Sequence, residues 1–138
     1  MRVVLDTNIL IAALITKGTP PDLLYQAWLD GAFSLVTSAA QLTEVSAVLA
    51  RPRLQRFIDA DEAALLVENI DTRAIHLDAP PAVHLSTDPD DNAILAAAIA
   101  GAADLIVSGD KKHMLALGAA DGIPIVTARE ALDRLSDA

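Results

Sequence analysis

The chain has 138 residues, of which 53% are hydrophobic and 21% charged, and it carries a net charge of −9. This length and composition describe one folded domain over residues 1–138 and exclude a disordered chain. The chain has no cysteine, which excludes a disulfide framework, a thiolate metal site and a cysteine nucleophile, and fits a cytoplasmic protein.

The first element is a short apolar run, Val3-Val4-Leu5, that ends in Asp6 and is followed by a second apolar run from Ile9. This pattern predicts a buried strand and then a helix, with Asp6 at the junction. An acid so early is not typical of a signal peptide, and the longest apolar stretch, 93–103, is too short to span a bilayer. We therefore expect no signal peptide and no membrane association.

The remaining segments alternate between strand and helix. Apolar runs predict strands at 2–5, 33–37, 105–107 and 123–126, with a weaker one at 74–77. Proline, glycine and capping signals predict helices at 20–29, 38–50, 53–58, 60–72, 90–102 and 128–135, with a short turn after Asp110. This order predicts a three-layer α/β/α fold with a central parallel sheet of four or five strands. The helices between 52 and 72 form an insertion between strands.

Acidic residues follow or precede several of these strands. Asp6 ends the first strand, Asp110 follows the strand at 105–107, and Glu44 lies about two turns into the helix after 33–37. A further group begins the helix that leads into the strand at 105–107: Asp88, Asp90 and Asp91. Because the carboxyl ends of parallel strands lie on the same edge of a sheet, where ligands bind, these acids are able to meet there.

Two interpretations of these acids compete. Taken singly, Asp6, Asp88 and Asp110 are good helix N-caps, and Glu44 is a solvated surface residue. Taken together, converging carboxylates would repel one another, and their pKa values would rise unless a cation held them in place. Oxygen ligands suit Mg²⁺ or Mn²⁺, whereas the lack of cysteine and only three scattered histidines disfavour zinc.

Four motifs occur here in an order and spacing similar to those of a known family. They are Val4-Leu5-Asp6-Thr7-Asn8, Glu44 in an early helix, Asp88-Pro89-Asp90-Asp91-Asn92, and Ile106-Val107-Ser108-Gly109-Asp110. By these motifs the chain resembles the PIN-domain family over essentially its whole length. It is most similar to the toxin components of bacterial and archaeal toxin–antitoxin pairs, the VapC-like ribonucleases. The resemblance implies an endoribonuclease that depends on Mg²⁺ or Mn²⁺.

The resemblance also implies roles for particular residues. The catalytic and metal-binding acids would be Asp6, Glu44, Asp91 and Asp110. Polar supports that bind these ligands or water would be Asn8, Asn92 and Ser108. Asp88 and Asp90 are ambiguous, but the apolar spacing from Asp91 to Ile94 and Ala98 favours Asp91 as the ligand and Asp88 as the cap. The acids would hold one or two ions, with Asp6 the natural bridge between two.

An acidic ribonuclease needs local positive charge to attract RNA phosphates. Two basic groups are candidates: Arg51, Arg53 and Arg56 after the Glu44 helix, and Lys111 and Lys112 after Asp110. Solvated helix ends are an equally good interpretation of both groups. His113 is as readily a surface residue as a substrate contact.

The resemblance implies two protein partners, a second copy of the chain and a small antitoxin. Two apolar helical stretches are able to supply the interfaces, one around Leu23, Leu24 and Trp28 and the other around Leu65, Leu66 and Ile70. Helical periodicity does not separate an interface from a core.

Two rival functions remain at this point. A haloacid-dehalogenase-like phosphatase also has an apolar strand that ends in an aspartate, but that class needs a second acid at the position of Asn8 and another after Asp110. The other rival is a catalytically inactive PIN domain that binds RNA or protein without cutting it. The presence of all four acids argues against this second alternative.

Overall fold

The structure, a computed structural model, describes residues 1–137, which contain six strands and eight helices. The strands are β1 (Arg2–Leu5), β2 (Ser34–Ser38), β3 (Ile75–Leu77), β4 (Leu105–Val107), β5 (Ala119–Ala120) and β6 (Ile123–Val126). The helices are α1 (Thr7–Ile15), α2 (Pro20–Leu29), α3 (Ala39–Leu49), α4 (Pro52–Gln55), α5 (Ala60–Arg73), α6 (Pro89–Ala100), α7 (Met114–Leu117) and α8 (Ala128–Ser136). Within residues 1–137, no helix has both the length and the hydropathy that a membrane span requires.

The strands form one sheet in the order β3-β2-β1-β4-β6-β5, and every neighbouring pair is parallel except β5 with β6. The predicted α/β fold with a central parallel sheet is confirmed. The sheet has six strands rather than four or five because β5, with two residues, is too short to leave a periodic pattern. Its signal is the Asp121-Gly122 turn, in which both residues have positive φ (49° and 81°), as two-residue hairpin loops require.

The core is divided between the two faces of the sheet. In β1, Val3 and Leu5 pack into one apolar cluster and Val4 into the other, as the alternation of side chains along a strand demands. Apolar residues of α1, α2, α3, α5 and α8 cover the first face, and those of α6 and α7 cover the second. This arrangement gives the three predicted layers.

Most predicted elements begin and end within two residues of their observed bounds. The helix predicted at 90–102 ends two residues earlier, at Ala100, because Ala102 takes a left-handed φ of 50° and the Ala103 amide donates to the Ala98 carbonyl. The helix predicted at 53–58 is the four-residue α4, which starts at Pro52.

The capping pair predicted at the start of α3 is only half formed. The Ser38 hydroxyl accepts a hydrogen bond from the Gln41 amide at 3.4 Å, as expected for an N-cap. The Gln41 side chain does not return to Ser38. It donates to the Leu5 carbonyl at 2.6 Å and accepts from the Thr37 hydroxyl at 2.7 Å, so it ties α3 to the end of β1, next to Asp6.

Gly101, at the end of α6, fits closely against the sheet. A Cβ atom added there would lie 2.7 Å from Val36 Cγ1, 3.0 Å from the Ala97 carbonyl oxygen and 3.2 Å from Leu77 Cδ2. The backbone at Gly101 has φ −83°, so an alanine would be strained by contact and not by conformation. We predict that Gly101→Ala lowers the free energy of unfolding by about 1–3 kcal/mol in urea denaturation.

Gly109→Ala is the matched control for this prediction, because its added Cβ would come no closer than 3.9 Å to a neighbour. It should lose much less stability than Gly101→Ala. Equal losses in the two variants would contradict the packing argument.

Candidate metal centre at the carboxyl edge of the sheet

The candidate site lies where β1 and β4 end side by side. From β1 the sheet extends to β2 and β3 on one side and to β4, β6 and β5 on the other, and such a switch point leaves a crevice outside the carboxyl ends of the strands. The Asp6 amide donates to the Val107 carbonyl at 2.8 Å. Asp6 after β1 and Ser108-Gly109-Asp110 after β4 therefore share this crevice.

The crevice opens into a cleft of about 400 Å³. Its charged lining consists of six carboxylates and one guanidinium, from Asp6, Glu44, Asp88, Asp90, Asp91, Asp110 and Arg51. A cavity of about 540 Å³ beside α6 is larger but has no acidic residue in its lining. The four acids predicted to act together thus line one cleft, which also contains both ambiguous ones, Asp88 and Asp90.

Asp6 is buried at the back of this cleft, with 6% of its surface exposed. It occupies the N-cap position of α1, but its side chain makes no capping hydrogen bond; instead it accepts one from the Ser108 hydroxyl at 2.7 Å. Burial raises the pKa of Asp6, the hydrogen bond from Ser108 lowers it, and the charges of Asp110 and Asp88 raise it further. Asp6 is therefore the N-cap of α1 by position, while its carboxylate is directed to Ser108.

Asp110 caps the turn at 111–113 that leads into α7. Its Oδ1 atom accepts hydrogen bonds from the amides of Lys112 at 3.0 Å and His113 at 3.1 Å. Slight burial acts to raise the pKa of Asp110, but these two amides and the nearby His113 ring outweigh it and lower the pKa. The Asp110 amide in turn donates to the Ser108 hydroxyl at 3.0 Å, so one buried serine joins Asp6 to Asp110.

Among the acids that begin α6, Asp91 is buried (7% exposed) and Asp90 is exposed. Burial, with repulsion from Asp6 and Asp88, raises the pKa of Asp91 from 3.8 to about 6. Its Oδ2 atom accepts a hydrogen bond from the Ser86 hydroxyl at 3.3 Å. Asp88 is the predicted N-cap and accepts from the Asp90 amide at 2.9 Å.

Glu44 reaches the cleft from α3, on the opposite wall. Its carboxylate accepts a hydrogen bond from the Thr7 hydroxyl. Burial raises the pKa of Glu44, the bond from Thr7 lowers it, and the charges of Asp90 and Asp6 raise it again. Glu44 is therefore directed into the cleft rather than towards bulk solvent.

The chemistry of these donors fits a divalent cation. The charge of Asp6 raises the pKa of both Glu44 and Asp91. Asp6 is therefore close to the acids on both walls of the cleft. Carboxylates that are buried and repel one another are stabilised by bound positive charge. An oxygen-rich set of this kind is what hard divalent ions prefer.

The three predicted supports have different surroundings. Ser108 is fully buried and holds Asp6. Asn8 is exposed, and its Oδ1 atom is 3.5 Å from the Gly109 amide. Asn92 binds no acid: it accepts from the amides of Leu85 and Ser86 and donates to the Ser86 carbonyl. It thereby fixes the loop that brings Ser86 to Asp91.

Three polar residues at the site escaped the sequence interpretation. Thr7 binds Glu44, Ser86 binds Asp91, and Gln41 binds the carbonyl next to Asp6. Thr7 lies inside the motif that contains Asp6 and Asn8, so its position was a usable signal. The partners of Gln41 and Ser86 come from other elements of the fold, and no local pattern marks them.

The candidate RNA-binding residues are divided. Arg51 lines the cleft, whereas Arg53 and Arg56 are exposed and outside its lining, with Arg56 over the Phe57 ring at 5.8 Å. Lys111 and Lys112 are exposed beside Asp110. His113 is closer to the acids than expected: one of its ring nitrogens and one oxygen from each of Asp91 and Asp110 lie within 4.8 Å of one another.

The family model of the PIN domain matches residues 2–112, which is most of the chain. The protein therefore belongs to the PIN-domain family, whose members are typically nucleases that use divalent metals. No curated protein matches the chain. Membership of this family removes the haloacid-dehalogenase alternative, and the acidic cleft is the matching metal-binding feature.

The raised pKa of Asp91 predicts how the stability of the metal-free protein depends on pH. The native state holds a proton on Asp91 up to about pH 6, whereas the ordinary pKa is 3.8. Protonated Asp91 therefore stabilises the native state fully below the ordinary pKa of 3.8, and this stabilisation is lost as pH rises through the native pKa of about 6. We predict that Asp91→Asn, which removes the charge, raises the free energy of unfolding near neutral pH in EDTA by ~1–2 kcal/mol.

Urea denaturation at several pH values checks this prediction. The control Asp133→Asn removes an exposed carboxylate of α8 and should leave stability unchanged. An Asp91→Asn protein less stable than the wild type at neutral pH would show that the charge of Asp91 is not a burden to the metal-free fold.

Proposed function

We propose that the protein is an endoribonuclease that hydrolyses RNA phosphodiester bonds with Mg²⁺ or Mn²⁺. The observation that carries this proposal is the convergence of Asp6, Glu44, Asp91 and Asp110 on one cleft. These acids would hold the ion. When bound, a divalent ion supplies Lewis-acid stabilisation of the negative charge that develops on phosphate oxygens during hydrolysis.

The residues around the acids have a common task, which is to hold the carboxylates in one orientation. Ser108 donates to Asp6, Ser86 to Asp91 and Thr7 to Glu44. Such outer contacts at metal sites fix the ligand geometry and typically contribute about 10–100-fold to metal affinity or activity. The buried position of Asp6 and Asp91 also limits the access of bulk water to the ligands.

Attraction of RNA to an acidic cleft requires positive charge nearby. Arg51 supports this role because it lines the cleft together with the acids, and a guanidinium binds phosphate oxygens in a bidentate manner. Lys111 and Lys112, exposed next to Asp110, are the second candidate contact. Arg53 and Arg56 would contact only RNA that extends beyond the cleft.

We predict that Asp6→Asn lowers metal-dependent RNA cleavage by at least about 100-fold, the upper end of what even a supporting contact contributes at a metal site. The asparagine keeps the size of the side chain and can still accept the hydrogen bond from Ser108. Cleavage of a labelled single-stranded RNA with Mn²⁺, and its loss in EDTA, would be measured on denaturing gels.

Asp133→Asn is again the control and should cleave like the wild type. Full activity of Asp6→Asn, or cleavage that persists in EDTA, would overturn the assignment of the cleft. A wild-type protein that binds RNA but never cuts it would instead support the inactive PIN domain.

We propose further that this nuclease is the toxin of a type II toxin–antitoxin pair in the cytoplasm, neutralised by a small antitoxin protein. The support is the similarity of its four motifs to toxin components. A homodimer is part of the same proposal. Leu23 on α2 and Leu65 on α5 are exposed by 42% and 51% and are available for contacts, whereas Leu24, Trp28, Leu66 and Ile70 are buried in the core.

Brief expression of the wild type should arrest growth and produce new RNA ends at defined sites, because a toxin of this class acts on cellular RNA. Asp6→Asn should do neither. Sequencing of RNA ends after induction measures both the effect and the cleavage sequence. Normal growth together with specific cleavage of purified RNA would separate the nuclease, which would stand, from the toxin role, which would not.

A further inference from the structure

His113 is held against the acidic cleft by its own turn. It follows Asp110 by three residues and directly precedes α7. The Asp110 carboxylate binds it twice: Oδ1 accepts from the His113 amide at 3.1 Å, and Oδ2 lies 3.3 Å from the ring nitrogen Nδ1. The position of the imidazole is therefore set by the same carboxylate that follows β4.

The imidazole is also close to the buried acid of α6. One ring nitrogen of His113 and one oxygen each from Asp91 and Asp110 lie within 4.8 Å of one another. Ligands that surround one ion at ~2.1 Å stand about 3–4.2 Å apart. Small side-chain movements would therefore bring the three atoms to coordination distance. The His113 side chain is 45% exposed, which leaves it room to make such a movement.

We propose that His113 is a nitrogen ligand of the metal centre, beside Asp91 and Asp110, and that it makes the site prefer Mn²⁺ to Mg²⁺. The proposal rests on the metal-dependent function given above. Mn²⁺ shares the oxygen ligands of Mg²⁺ but, as a transition-metal ion, accepts an imidazole nitrogen more readily, whereas Mg²⁺ keeps oxygen ligands and water and loses little when a nitrogen is absent. Cation choice would then be determined by a residue outside the four acids.

A purely structural role for His113 makes a different prediction. If the ring served only to hold Asp110 through the 3.3 Å contact, its loss would disturb the carboxylate and lower the affinities for both ions by the same factor. If the ring is a ligand, its loss lowers the Mn²⁺ affinity selectively. The ratio of the two affinities, together with direct detection of a bound nitrogen, therefore separates the two roles.

The experiment uses the full chain loaded with Mn²⁺. Electron spin echo envelope modulation detects ¹⁴N coupled to the ion, and isothermal titration gives the Mn²⁺ and Mg²⁺ affinities. The wild type should show imidazole ¹⁴N modulation. His113→Gln should lose it, bind Mn²⁺ about tenfold more weakly and bind Mg²⁺ within about twofold of the wild type. The control His84→Gln changes an exposed histidine outside the lining of the cleft and should retain the modulation and both affinities.

Three results would overturn the proposal: no ¹⁴N modulation in the wild type, modulation that persists in His113→Gln, or an equal loss of Mn²⁺ and Mg²⁺ affinity in that variant. The outcome is independent of RNA cleavage. Loss of the ¹⁴N signal in His113→Gln from a protein that cuts no RNA supports the ligand and refutes the nuclease. Cleavage by a wild type without ¹⁴N modulation supports the nuclease and refutes the ligand. A protein that binds Mg²⁺ but not Mn²⁺ refutes the ligand alone, and a protein that binds neither ion refutes both proposals.

Discussion

The central constraint on the structure is that six carboxylates line one cleft at the ends of β1 and β4. One buried carboxylate is tolerated when a hydrogen bond satisfies it, as the bond from Ser108 does for Asp6. The neighbouring acids add to the cost, because their charges raise the pKa values of Asp6, Glu44 and Asp91. The fold accepts this cost in a region where a large apolar core on both faces of the sheet supplies stability.

Much of this arrangement follows from local sequence. β1 is readable because Val3-Val4-Leu5 is short, apolar and closed by an acid, and a parallel sheet then requires Asp6 and Asp110 to share an edge. The burial of Asp91 rather than Asp90 is also a local feature, since Ile94 and Ala98 mark the buried face of α6 and Asp91 lies on it. These features depend on the period of a single helix or strand, which a sequence displays directly.

What the sequence did not predict depends on contacts between elements. Gln41 has the spacing of a capping pair with Ser38, yet its side chain binds Leu5, because the end of β1 offers a buried carbonyl that needs a donor. Asn92 follows Asp91 in the chain, but its side chain holds the loop at Ser86. His113 lies outside any helical or strand pattern in the sequence, and only the turn capped by Asp110 brings it to the acids.

The two walls of the cleft belong to opposite layers of the molecule. Glu44 projects from α3, which packs on one face of the sheet, and Asp91 from α6, which packs on the other. An ion shared by these acids would join the two helical layers at the edge of the sheet, where α3 and α6 also contact each other directly. Metal binding and folding would then be thermodynamically linked, so that the ion would raise the free energy of unfolding as well as serve the chemistry.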